Sequence, residues 1–185
     1  MNSDAERDEV RARRQAAADK YKPEGIRLLL VAEAPPVTSH RYFYFDQVTS
    51  HDFLFLSIAE VLLGRKLART EKADGLTELK AMGVFLIDLK LDPMDGSPLS
   101  LCVPHLISRC GALNPEQIIL IKTTVYDAAY EALAAAGLPV IKKRICFPSH
   151  SWQLKFREQF REALGEVEQV RTGRLTLIRP PLVKE

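Results

Sequence analysis

Residues 26–31, Ile-Arg-Leu-Leu-Leu-Val, form an apolar run of strand length that ends on Glu33 and is then stopped by Pro35 and Pro36. Near-continuous apolar character predicts a strand buried on both faces, as in a parallel sheet. The two prolines cannot donate to a ladder, so the strand closes at a single acid. Parallel strands need crossovers, and the chain supplies them. Helical patterns over 53–63, 70–82, 98–110, 125–136 and 152–164 alternate with strand patterns over 84–91, 118–122 and 140–146, and 174–179 reads as a last strand. Asp52 is placed to cap the first of these helices and Gly64 to close it. Ser97-Pro98 is an N-cap followed by proline at the first helical position, with Pro104 placed to kink or divide that helix. Thr124 and Asp127 have the spacing of a capping box. The expected fold is α/β: three layers, α/β/α, around a central, mainly parallel four-stranded sheet with right-handed crossovers. Residues 1–22 read as an N-terminal surface helix and 23–185 as a single domain.

In such a sheet the C-terminal strand ends share one rim, where ligands bind. That rim carries Glu33, Asp88, Lys122-Thr123-Thr124 and Ser149-His150, with four aromatics, Tyr42 to Phe45, a short loop after the first acid. No phosphate-cradling G-x-G-x-x-G or G-x-x-x-x-G-K-[ST] is present, and no G-x-S-x-G elbow. Cys102, Cys110 and Cys146 form no C-x-x-C pair, and the four histidines lack metal-ligand spacing, so neither a metal nor a cofactor is expected. What remains is two acids, a histidine and flat rings, a set suited to attack by an activated water on a substrate carrying a planar ring. An ordinary strand, a stiffened loop and core aromatics account for the same pattern, and Trp152 reads most simply as an anchor of its helix. The net charge of +2 does not demand a polyanion, although basic residues gather at 65–72, 142–144 and 155–161. No stretch has the length of a bilayer span or the character of a signal peptide, so a cytosolic protein without a membrane partner is expected.

Three segments carry a resemblance. Val31-Ala32-Glu33-Ala34-Pro35-Pro36 is similar to the G-E-A-P-G motif of uracil-DNA glycosylases, Leu86-Ile87-Asp88-Leu89-Lys90 to their T-N-x-x-K segment, and Phe147-Pro148-Ser149-His150 to their H-P-S motif. The three stand in the family's order over most of residues 26–164. The resemblance implies a uracil-DNA glycosylase-like fold and a monofunctional DNA glycosylase that flips a base out of DNA and hydrolyses its bond to deoxyribose. It implies Glu33 and His150 as catalytic groups, and Ala34, Pro35, Asp88 and Ser149 at the base. Phe45 is the first choice for the stacking ring and Phe43 the second. Trp152 or Leu154 is the expected wedge in the duplex. Lys155, Arg157 and Lys122 would bind DNA. The implied protein is a monomer of the bacterial cytosol or nucleoid, with DNA, single- or double-stranded, as its partner. Asp88 stands where the family has asparagine, Phe147 stands at the motif histidine, and the cysteines of the cluster-bearing branch are missing. Two other readings stay open: a glycosylase-like protein that binds DNA without cutting it, and a hydrolase of free nucleosides or nucleotides.

Overall fold

The computed structural model describes residues 4–48 and 52–171, an α/β arrangement of six α-helices around a parallel sheet. The expected strand at 174–179 lies outside the described residues. β1 (Leu28–Ala32) is buried along its whole length. It pairs in parallel with β2 (Val84–Asp88) on one side and β3 (Gln117–Leu120) on the other, in the order β2-β1-β3. The chain therefore leaves β1 in one direction, returns over it, and emerges at β3. The gap beyond the ends of β1 and β3 is the reversal point at which such sheets hold ligands.

The expected fourth strand does not form. Val140 and Ile145 make parallel bridges to Ile118 and Ile121, but no ladder joins them. From one bridge to the next, β3 and its end advance from 118 to 121 while the outer segment advances from 140 to 145. The two extra residues, within the run Lys142-Lys143-Arg144, bulge outward and leave their charges accessible to partners outside the sheet: Lys143 pairs with Glu162 and Arg144 with Asp127. The sheet is three-stranded with a bridged flank.

The helices follow from simple causes. α2 (Phe53–Leu63) buries Phe55, Ile58, Ala59, Leu62 and Leu63 and closes on Gly64 in the left-handed conformation. Its N-cap Asp52 makes no capping bond; the carboxylate turns instead to Lys72, 2.7 Å away. After one 3₁₀ turn, α3 (Lys72–Ala81) buries Lys72, Gly75, Leu76 and Leu79. This i, i+3, i+4, i+7 stripe puts a lysine on the inner face. Pro104 divides the next helix: a 3₁₀ turn precedes α4 (Val103–Leu113), with the proline in the first turn, where its missing N–H costs nothing. α5 (Thr123–Ala135) lacks the expected capping box, because Asp127 pairs with Arg144 and Thr124 turns to Glu33. α2 packs on α3 and on α6 (Gln153–Arg171), while α4 packs on α5. With the strand order β2-β1-β3, these two helix groups are compatible with α/β/α layering. No described helix is long and apolar enough to cross a membrane.

The N-terminal helix, α1 (Asp4–Lys20), is more than a surface appendage. Arg14 and Ala18 are buried, as is Tyr21 just beyond it, and Arg14 donates to the carbonyls of Pro36 and Thr38. The helix thus clamps the proline loop that follows β1.

Candidate active site

A cavity of about 450 Å³ opens at the reversal point and is lined by Glu33, Ala34, Phe43, Asp88, Lys122 and His150, among others. Its volume is that of a small-molecule site. Glu33 stands just beyond β1, its side chain 16% exposed. One carboxylate oxygen is ion-paired with the Lys122 ammonium. The other accepts a hydrogen bond from the Thr124 hydroxyl at 2.8 Å. Both partners come from the β3–α5 junction, so the acid is locked across the reversal point. Lys122 itself holds φ 83°, ψ 133°. That left-handed backbone costs a lysine about 1–3 kcal/mol, and strain of this kind gathers at functional sites. Lys122 was expected to meet DNA; it sits inside the cavity and holds Glu33.

Phe147, Ser149 and His150 line the same cavity. The His150 ring lies 5.8 Å from that of Phe53, the first residue of α2, and both rings line the cavity. The imidazole makes no hydrogen bond among the described residues. Glu33 and His150, 117 positions apart in the chain, therefore look into one space.

Of the two candidate stacking rings, Phe43 lines the cavity and Phe45 does not. Phe43 is buried and makes T-shaped contacts with Tyr44 and Phe55. Phe45 turns away, against Tyr42 and beneath the Arg13 guanidinium. The reason is local. Tyr44 drives inward so that its hydroxyl donates to the Leu86 carbonyl and accepts from the Leu86 N–H, sealing the outer edge of β2. Its neighbours are turned accordingly. Pro35 is buried and faces away from this cavity, into a second hollow.

Asp88 closes the cavity floor at the end of β2. The residue keeps some exposed surface, but its carboxyl is deeply enclosed, and it makes no hydrogen bond or ion pair among the described residues. Burial pushes its pKa up to about 7, against the pull of Arg14 and Arg109. In the adjoining wall, desolvation shifts Asp52 upward and Lys72 downward, each toward its neutral form.

The helix after the cavity separates the expected DNA contacts. Trp152 and Leu154 are exposed, 46% and 62%, and Phe147 beside them is 39% exposed. Trp152 therefore does not anchor its helix; Phe156 and Phe160 do. The Lys155 ammonium lies 4.7 Å from the centre of the Trp152 ring, at the surface. Arg157 points inward and pairs with Glu60 of α2 at 3.3 Å, which removes it from any phosphate contact in this arrangement. Phe53 and Asp52 were missed as site residues because each carried a helix-forming or capping role in the sequence pattern, and Thr124, expected on the rim, had no role assigned there. Lys72 lay within reach of the pattern, since it shares a helical stripe with Leu76 and Leu79.

Comparison with protein-family models, curated proteins and solved structures finds no match for the chain in any of the three.

Proposed function

We propose that the protein is a DNA-base glycosylase of the uracil-DNA glycosylase type, hydrolysing the N-glycosidic bond of uracil or another deaminated base flipped out of DNA. One observation carries this reading: Glu33 and His150 line a single cavity large enough to admit a nucleobase, with Phe43 in its wall. A base entering it stacks on Phe43. As the glycosidic bond lengthens, positive charge grows on the deoxyribose, and the Glu33 carboxylate opposes it and orients the attacking water. Lys122 and Thr124 keep that carboxylate in place. Negative charge on the departing base is met by a donor from His150, and Asp88 reads the base edge from the floor. The exposed Phe147, Trp152 and Leu154 stand beside the mouth, where an apolar wedge fills the gap left in the duplex. The reading includes a monomer in the bacterial cytosol that needs neither metal nor cofactor.

A second reading, DNA binding without cleavage, is favoured by one feature. The Lys122 ammonium offsets part of the Glu33 charge that catalysis requires. Labelled oligonucleotides bearing uracil, hypoxanthine or xanthine, with a cytosine control, separate the two. Glycosylase action yields alkali-labile sites, and Glu33→Ala lowers the single-turnover rate at least about 100-fold. Binding of the same oligonucleotides with no strand scission after alkali supports the second reading instead. Turnover of free nucleosides alone refutes both.

A further inference from the structure

Lys122 is the one lysine that lines the cavity among the described residues. Its backbone is fixed on both sides. The Ile121 N–H donates to the Val31 carbonyl at 2.8 Å, tying the residue before it to β1. The Lys122 carbonyl accepts from the N–H groups of Val125 and Tyr126, both at 3.1 Å, in the first turn of α5. Between these anchors the lysine is held at φ 83°, a conformation costly for any residue with a Cβ. The side chain stays 35% exposed, and its ammonium donates to Glu33 and makes no other hydrogen bond among the described residues. Lys72 is the contrast. It is 1% exposed, its ammonium is held by Asp52 and lies 3.3 Å from the Tyr42 carbonyl, and it does not reach the cavity. An amine in contact with a carboxylate, inside a cavity, is the pairing that imine chemistry needs: a nucleophile with its proton acceptor already in place.

We propose that Lys122 is a nucleophile toward the abasic product, forming a Schiff base at C1′, so that the protein is also an abasic-site lyase. The inference rests on the glycosylase reading, in which Glu33 faces C1′ and so puts the adjoining Lys122 amine beside the same carbon. Loss of the base leaves C1′ as a hemiacetal in equilibrium with its open aldehyde. The Lys122 ammonium passes a proton to Glu33, and the freed amine attacks the aldehyde carbon. The resulting carbinolamine loses its hydroxyl as water, taking the proton back from Glu33, which leaves a protonated imine and a carboxylate. Glu33 then removes a proton from C2′, the C3′–O bond breaks, and the 3′ phosphate departs with the bonding electrons. Water hydrolyses the imine and restores the amine. Thr124, donating to the other Glu33 oxygen at 2.8 Å, keeps the carboxylate oriented throughout.

A pyrimidine oligonucleotide with a single adenine, depurinated in acid, carries one abasic site made without any glycosylase. Incubated with the full chain and sodium cyanoborohydride, it is expected to give a covalent protein–DNA species on a denaturing gel. Mass mapping of the digested adduct should place the sugar on Lys122, and without reductant the strand should break with no alkali. The same oligonucleotide reduced beforehand has no aldehyde and should give no adduct. Lys122→Arg keeps a cation against Glu33 but has no amine able to form an imine. The adduct should be lost in this variant, with thermal melting to establish that it is folded. Absence of an adduct, an adduct on any other residue, or one undiminished in folded Lys122→Arg overturns the proposal. A uracil oligonucleotide run in parallel separates the two readings. Excision of uracil with no trapping at the preformed site upholds the glycosylase and overturns the lyase. Trapping on Lys122 with no excision upholds the Schiff base and refutes the glycosylase.

Discussion

The Asp88 carboxyl separates two cavities and titrates near 7, where a free aspartate titrates near 3.8. A raised acid means that the folded protein holds a proton that the unfolded chain releases between those values. Its contribution to stability is therefore greatest below about pH 4, declines as the pH climbs toward 7, and levels off above that. Asp88→Asn removes the dependence. The variant is expected to match the parent near pH 4 and to exceed it by about 2–4 kcal/mol at pH 8, as read from urea unfolding at the two values. The same titration has a functional side under the glycosylase reading. A neutral carboxylic acid both donates and accepts, as an amide does, whereas the ionised form only accepts. Uracil excision should fall as the pH passes through 7, and Asp88→Asn should flatten the profile in single-turnover rates between pH 5.5 and 8.5. A fall that persists in the variant would assign the titration to another group.

Between elements, the Lys72–Asp52 pair joins the start of α3 to the start of α2 and also places the Lys72 ammonium 3.3 Å from the Tyr42 carbonyl. Lys72 is 1% exposed. Removing one partner of a buried pair strands the other's charge, so Lys72→Met should cost about 3–5 kcal/mol. The double change with Asp52→Asn should recover at least half of it, as measured by a double-mutant cycle in urea. Additive losses would show that the two side chains act separately. The turn between α3 and β2 is constrained differently. Gly83 has φ +76°, and a Cβ there would meet the Arg27 side chain at 2.8 Å and the Gly25 carbonyl at 3.0 Å. Gly83→Ala is expected to destabilise by about 1–2 kcal/mol, visible as a lower urea midpoint with an unchanged slope.

At the scale of the whole molecule, several of the basic residues that cluster in the sequence are spent on acids within the fold. Arg144 is held by Asp127, Lys143 by Glu162 and Arg157 by Glu60. What the face beside the cavity offers a partner is apolar: Phe147, Trp152 and Leu154, with Lys155 laid on the tryptophan. Because the Trp152 ring is half in solvent, Trp152→Ala should leave stability within about 0.5 kcal/mol. Under the glycosylase reading it should slow excision from duplex DNA at least tenfold more than from single strands, since only a duplex leaves a hole to fill. Equal losses on both substrates would refute the wedge.

Much of the architecture was legible because it rests on periodicity. The buried run ending at Glu33, the limits of α2 and the division of a helix at Pro104 all follow from local rules of hydrogen bonding and backbone sterics. The gathering of Glu33, Asp88 and His150 at one rim follows from the parallel topology those rules imply. Other features depended on partners distant in sequence. Phe43 was chosen over Phe45 by the demand of the β2 edge for the Tyr44 hydroxyl. Asp52 left its helix end for Lys72, Asp127 left its helix for Arg144, and Arg157 turned in to Glu60. A bulge of two residues turned a fourth strand into two bridges. Local pattern says which residues can face inward, but charge pairing and edge satisfaction are settled between segments that meet only when the chain is packed.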